Sequence, residues 1–206
     1  MKTLKNLFVA LTLLAVAPMT AQTADEILSN YFENTGGEAA WNALEGTKIL
    51  GAINAQGMEI PIEIYSTKDG KQLVKINMQG QEMTMMSFDG ETMWTTNFMT
   101  MLPEKSDTET TEMMKTNNQD FPSPFLNYKE KGYTVEYLGK ETKEGTETFK
   151  LKLTKKPVMV DGKEEPTVSF YYFETENYVP ILVETTMNSG PAKGQMSVST
   201  FSDYQE

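Results

Sequence analysis

From Lys48 to Phe98 the chain alternates apolar and polar residues with a period of two, the mark of strands that bury one face. Gln56-Gly57, Gln79-Gly80 and Asp89-Gly90 each suit a two-residue hairpin turn, and Lys68-Asp69-Gly70 suits a three-residue loop ending in a left-handed Gly. These turns pair Ala55 with Met58, Thr67 with Lys71, Met78 with Gln81 and Phe88 with Glu91. Counting outward gives three apolar rows: Ile49–Ile64–Val74–Met85–Trp94, Gly51–Ile62–Ile76–Met83–Thr96 and Ile53–Ile60–Met78–Gln81–Phe98. The other face receives Leu50–Glu63–Lys75–Thr84–Thr95 and Ala52–Pro61–Asn77–Glu82–Asn97, and beside them a row of Tyr65, Leu73, Met86 and Met93. A slip of one residue exchanges the faces. The pattern therefore predicts a five-stranded antiparallel meander with one apolar face.

On either side of the meander the period changes. Thr23-Ala24-Asp25-Glu26 has capping-box spacing, and Ile27, Leu28, Tyr31 and Phe32 then form one helical face that Gly36-Gly37 stops; Glu38 to Leu44 can add a short turn carrying Trp41. After the meander, residues 99–132 are too long for an ordinary strand connection and read as a cover. Within them Ser106-Asp107-Thr108-Glu109 is a second capping box, opening a polar helix to about Asn117 with Met113 and Met114 on it; Phe125 to Tyr128 can form a further turn. Strands are expected again at Tyr133–Glu141, Thr146–Lys156, Thr167–Glu174, Ile181–Met187 and Gln195–Asp203, with Val135 and Tyr137 beside Leu153 and Leu151, and these beside Phe170 and Tyr172. The fold class is mainly β with helices (α+β): a large curved antiparallel sheet of about ten strands, forming an unclosed barrel whose concave apolar face the helices cover.

The first 21 residues stand apart. Lys2 and Lys5, an apolar run from Leu7 to Ala17 and Met19-Thr20-Ala21 read as a secretory signal cleaved near Ala21. An apolar run this short does not span a bilayer. The expected organisation is thus a signal peptide over 1–21 and one domain over 22–206, exported and, in a host with two membranes, periplasmic.

Composition removes most chemistry. The 206 residues hold no Cys and no His, so disulfides, thiolate or imidazole metal sites and His-dependent nucleophilic catalysis are excluded. The net charge is −11 and every basic residue is Lys, which argues against nucleic acid. Carboxylates remain, but Glu59 and Glu63 lie on the polar face of a strand, and Asp89, Glu91, Glu164 and Glu165 lie in or beside turns. None is placed to flank a cleft as a glycosidase pair must. No phosphate loop or calcium loop is present. A carrier or binding protein is expected, not an enzyme, with no cofactor and no metal.

Methionine is in excess, 15 in all, and Met58, Met78, Met83 and Met85 fall on the apolar face opposite Met113 and Met114 of the insert. Core filling is one reading; an adaptable cavity wall for apolar ligands is the other. On the second reading the wall consists of Ile49, Ile53, Ile60, Ile62, Ile64, Val74, Ile76, Met78, Met83, Met85, Trp94 and Phe98, and the lid carries Met113, Met114, Phe125 and Leu126.

Three stretches resemble a known family. Thr35-Gly36-Gly37-Glu38-Ala39-Ala40-Trp41 after the first helix, Ser87-Phe88-Asp89-Gly90-Glu91-Thr92-Met93-Trp94, and Leu126-Asn127-Tyr128-Lys129-Glu130-Lys131-Gly132-Tyr133 running on through Tyr137-Leu138-Gly139-Lys140 and Phe149 to Leu153 are similar to the LolA/LolB-like superfamily of outer-membrane lipoprotein carriers. The similarity runs in order over nearly all of 24–206, on diffuse structural motifs. It implies helices as a lid over a hydrophobic cavity and a monomer that shelters lipoprotein acyl chains, or a related lipid, between an inner-membrane exporter and an outer-membrane receptor. The other reading is an exported module for another apolar ligand or a protein partner. Two departures stand out: with no Arg, the family's arginine latch between lid and sheet must be replaced by Lys, Tyr or backbone, and relatives continue for another strand or two beyond Ser202-Asp203-Tyr204-Gln205-Glu206.

Overall fold

The computed structural model describes residues 22–204 except 56, 161 and 189–192. The signal segment over 1–21, the turn residues Gln56 and Asp161, and the terminal Gln205-Glu206 lie outside the described residues. Strands dominate, and they form two antiparallel sheets, neither of which closes into a barrel. The first is a six-stranded meander: β1 (Gly46–Ala55), β2 (Met58–Thr67), β3 (Gln72–Met78), β4 (Gln81–Phe88), β5 (Met93–Asn97) and β6 (Leu102–Lys105). The second, in spatial order β11-β10-β9-β8-β7, has β7 (Thr134–Lys143), β8 (Thr146–Val160), β9 (Lys163–Glu174), β10 (Pro180–Thr186) and β11 (Met196–Thr200). The helices are α1 (Ala24–Asn34), α2 (Glu38–Asn42) and α3 (Thr108–Asn118). The mainly β, unclosed architecture with helices is the expected one, with its strands divided between two sheets. Strand β6 is additional to the expected strands: it is short and holds Pro103, which suits a sheet edge and hides it from a strand pattern.

The first helix forms as its cap dictates. Thr23 Oγ1 accepts the Glu26 N–H and the Glu26 carboxylate accepts the Thr23 N–H, a reciprocal capping box. Its apolar face, Ile27, Leu28, Tyr31 and Phe32, is buried against Phe149, Leu151, Leu153 and Phe173 of the second sheet. Gly36 and Gly37, at φ +101° and +86°, turn the chain so that Trp41 folds back onto Tyr31 and Phe32, its indole N–H donating to Thr35 Oγ1 at 2.8 Å. Phe125 and Leu126 complete this core, Phe125 meeting Tyr171 and Phe173 edge-on. The expected lid residues Phe125 and Leu126 are therefore fixed parts of a closed core. Both are large and apolar, and α1 leaves room beside it on the sheet.

Three of the four expected turn registers of the meander are present. Ala55 pairs with Met58 and Met78 with Gln81, while the Thr67 N–H donates to the Lys71 carbonyl. The fourth differs. Phe88 pairs with Met93, because the Asp89 carboxylate accepts the N–H groups of both Glu91 and Thr92 and holds a wider loop than Asp89-Gly90 alone would make. A bulge in β4 shifts the register again: Lys75 faces Thr84 but Val74 faces Met86, with Met85 as the extra residue. The row therefore reads Ile49–Ile64–Val74–Met86–Thr95, and Trp94 pairs with Ser87 on the opposite face. Met86 and Met93, expected outside, are buried with Val74 and Phe88; Met85 packs against the same cluster. In the second sheet Val135 and Tyr137 face Leu153 and Leu151 as expected, but a bulge between Lys155 and Val158 sets Leu151 beside Tyr171 and Leu153 beside Ser169.

Candidate functional site: an open apolar trough

The inner face of β1–β4 is apolar and only partly covered. Ile49, Gly51 and Ile53 of β1 pair with Ile64, Ile62 and Ile60 of β2, and Ile62 and Ile64 pair onward with Ile76 and Val74 of β3. Among the described residues, the register puts no charged side chain on this face of these four strands. Burial falls off toward the β1 edge. Val74 and Ile76 are buried, Ile60, Ile62, Ile64, Met83 and Met85 are half-buried, and Ile49 and Ile53 are 50% and 37% exposed. Gly51 adds a notch: it has no side chain to set over its partner Ile62, and a Cβ there would only just touch it, at 3.6 Å. The result is a trough of branched apolar side chains, closed at the β3–β4 end and open along β1 and β2.

Helix α3 closes the covered end. Its N-cap is Asp107 and not Ser106: Asp107 Oδ1 accepts the Thr110 N–H at 2.7 Å, and that bond, more than the Thr110 hydroxyl, holds the Asp107 carboxyl below its ordinary range. Met114 packs on the Val74, Met86, Phe88 and Met93 cluster. Met113, next along the helix and so on another face, lines a separate cleft of about 490 Å³ with Pro157, Val158 and Met159 of β8. The two lid methionines thus serve different sheets, and α3 bridges them.

The C-terminal end of α3 is tied to both sheets. Lys155 Nζ of β8 donates to Asp120 Oδ2 at 2.7 Å and to Asn117 Oδ1 at 3.2 Å. Asn118 Nδ2 donates to the Gly70 carbonyl in the β2–β3 turn at 2.8 Å. The Lys155–Asp120 pair is mostly buried, and the Tyr133 hydroxyl lies beside the same carboxylate. Beside it Lys131 Nζ donates to the Ser123 carbonyl, and burial pushes the Lys131 ammonium down from its ordinary range. The tie falls to a Lys, one of the groups expected for it, and no spacing rule connects Lys155 with a carboxylate 35 residues before it.

Of the expected wall residues, ten lie on the inner side of the first sheet, while Trp94 and Phe98 do not. Trp94 stands 41% exposed on the outer face, in the row Tyr65–Leu73–Ser87–Trp94. Phe98 sits in the β5–β6 turn, beyond the end of the face. The signal that could have moved Trp94 was present: apolar residues fall at 83, 85, 86 and 88, so the alternation changes phase at Met85-Met86, as a bulge requires.

No family model matches the chain, and no curated protein matches it. Solved structures do. A putative outer membrane lipoprotein-sorting protein domain from Vibrio parahaemolyticus is 14% identical over 88% of this chain and 77% of that one, with a TM-score of 0.44. A DUF1329 family protein from Desulfovibrio piger is 16% identical over 77% and 72%, TM-score 0.39. The lipoprotein LppX from Mycobacterium tuberculosis is 9% identical over 84% and 88%, TM-score 0.38. These are likenesses of general arrangement.

Proposed function

We propose that the protein is an exported, non-catalytic carrier that shelters acyl chains, of lipoproteins or of a related lipid, in the trough of β1–β4. The destination we propose is the outer membrane, reached through the periplasm, with an inner-membrane exporter and an outer-membrane receptor as its partners. The single observation that supports this reading is a continuous, uncharged and half-open apolar face on an otherwise acidic protein. Isoleucines left half in water forfeit part of the roughly 1.5–3 kcal/mol each that full burial would yield. An acyl chain laid along them recovers it, at about 0.8 kcal/mol per methylene removed from water. A trough open on one side recovers less than a sealed cavity, and a carrier must also release.

Helix α3 is the mobile wall in this reading. It contributes one methionine to the trough, and its far end is held by the Lys155–Asp120 pair. Breaking a mostly buried ion pair is costly but local, so opening can be confined to α3. The reading is tested with a fluorescent fatty acid and by mass spectrometry of lipid extracted from the purified protein. The probe is expected to bind and to be displaced by unlabelled acyl chains. Ile60→Ser with Ile62→Ser is expected to weaken it by about tenfold, the equivalent of two methylene contacts. A wild-type protein that takes up no probe, or a double variant that binds it equally well, removes the trough as the site. Binding of apolar ligands without transfer to acceptor vesicles would instead favour a plain binding module.

A further inference from the structure

The two ends of the first sheet are chemically unlike. In a meander, alternate turns lie at the same end, so the β1–β2, β3–β4 and β5–β6 hairpin tips stand side by side. Together they expose Met58, Met78, Phe98, Met99, Met101 and Leu102, with Met99 95% exposed. Over residues 54–59, 77–82 and 97–103 the charged residues are Glu59 and Glu82, and Glu82 is drawn back along the sheet by Lys75 at 2.6 Å. The other end carries Lys68, Asp69, Lys71, Asp89 and Glu91 in its two turns.

The tips also satisfy their own backbone without charge. Asn54 Oδ1 accepts the Gly57 N–H at 3.3 Å, and Asn77 Oδ1 accepts the Gly80 N–H at 2.9 Å. Asn97 Oδ1 accepts those of Met99 and Thr100 at 2.9 and 3.2 Å. At the far end the same work falls to the Asp89 carboxylate, which takes the N–H groups of Glu91 and Thr92. A turn entering lipid must keep its donors bonded and carry no charge. The three Asn caps bond these donors without adding charge, whereas the Asp89 cap bonds its donors with a carboxylate.

We propose that the β1–β2, β3–β4 and β5–β6 tips form a membrane-docking edge that dips into the interface of an electrically neutral bilayer. The absence of any Lys over these three stretches, on a chain of net charge −11, separates this edge from one built for anionic lipid. Ile53 and Ile60, one inner-face pair in from the tip pair Ala55–Met58, adjoin the edge, so the trough opens beside the bilayer surface. The docking claim stands on the tips alone and does not require the trough to hold lipid.

Flotation of the purified protein with vesicles tests it. Vesicles of phosphatidylcholine alone are expected to carry the protein, undiminished at high salt. Met99→Asp is expected to lower the partition about tenfold or more, and so is Leu102→Asp. Leu50→Asp, about as exposed as Leu102 but on the outer face of β1, is the control and is expected to float like wild type. Far-ultraviolet circular dichroism checks that each variant is folded. The proposal is overturned by a wild-type protein that stays unbound to neutral vesicles, by tip variants that float normally, or by binding that needs phosphatidylglycerol and vanishes with salt. Failure of fatty-acid uptake with flotation intact would sink the carrier reading and leave the docking edge standing.

Discussion

The two sheets start from the same alternation of apolar and polar residues, yet their inner faces end in opposite states. On the second sheet, Leu151, Leu153 and Phe173 are sealed by four large apolar residues of α1 together with Phe125 and Leu126. On the first, α3 is the cover, and its sequence Thr-Glu-Thr-Thr-Glu-Met-Met-Lys-Thr-Asn-Asn offers one methionine to the sheet. A sheet face is closed by the apolar area its partner brings, and not by the strands themselves. One sheet here is a core, and the other is a surface shaped like a core.

Mutation should separate the two faces sharply. Leu151→Ala, in the sealed core, is expected to cost about 3–5 kcal/mol, whereas Ile49→Ala on the open face costs within about 1 kcal/mol. Chemical denaturation of both variants gives the difference directly. Similar losses would mean that the two faces are equally structural, and the comparison would fail.

The tie across the two sheets comes next. Lys155→Met leaves Asp120 without its cation and is expected to destabilise by about 2–3 kcal/mol, below the figure for a fully buried pair. Hydrogen exchange should show α3 amides opening much faster while those of α1 and β7–β9 keep their protection. Equal acceleration in α1 would show that α3 is not held separately.

The bulge offers a finer test within one strand. Met86 is buried and Met85 half-buried, so Met86→Ala is expected to cost about 2 kcal/mol and Met85→Ala about half of that. The reverse order would restore the register in which Met85 faces Val74.

The smallest effect is a pH dependence in the closed half. Asp25, in the first turn of α1, accepts from Lys129 Nζ at 2.7 Å and from the Tyr128 hydroxyl at 2.6 Å. The Lys129 bond first, and then Tyr128, hold its carboxyl below the ordinary 3.8. The folded-state value is the lower one, so the stabilisation is present above the unfolded value and is lost as pH falls through the folded one. The pair is exposed, so the contribution is small. The melting-temperature gap between wild type and Asp25→Asn should be modest at neutral pH and should close below about pH 3.8. A gap that persists in acid would assign the loss to packing.

Much of this fold was legible because it is local. Three hairpin turns set their registers through the residues inside them, the α1 cap is a four-residue motif, and the apolar face of α1 follows from helical spacing. Ten of the twelve expected wall residues reached the inner face for that reason. What escaped was one local loop and, beyond it, contacts between distant parts. The Asp89 carboxylate widened one loop, and Met85-Met86 bulged so that Val74, Phe88 and Met93 could close around Met86 beneath Met114. The bulge alone placed Trp94 outside, because the wider loop moves β5 by two residues along β4 and keeps its faces. Phe125 and Leu126 became core because α1 stands beside them on the second sheet. The sequence by itself determined strand order, most turn registers and the absence of His and Cys chemistry, since each is written within a few consecutive residues or in composition. Which apolar face would be sealed, and which lysine would meet Asp120, was decided only in the tertiary structure: exposed apolar faces and surface charges are interchangeable along the chain, and they become distinct when the fold brings some of them a partner and leaves others in water.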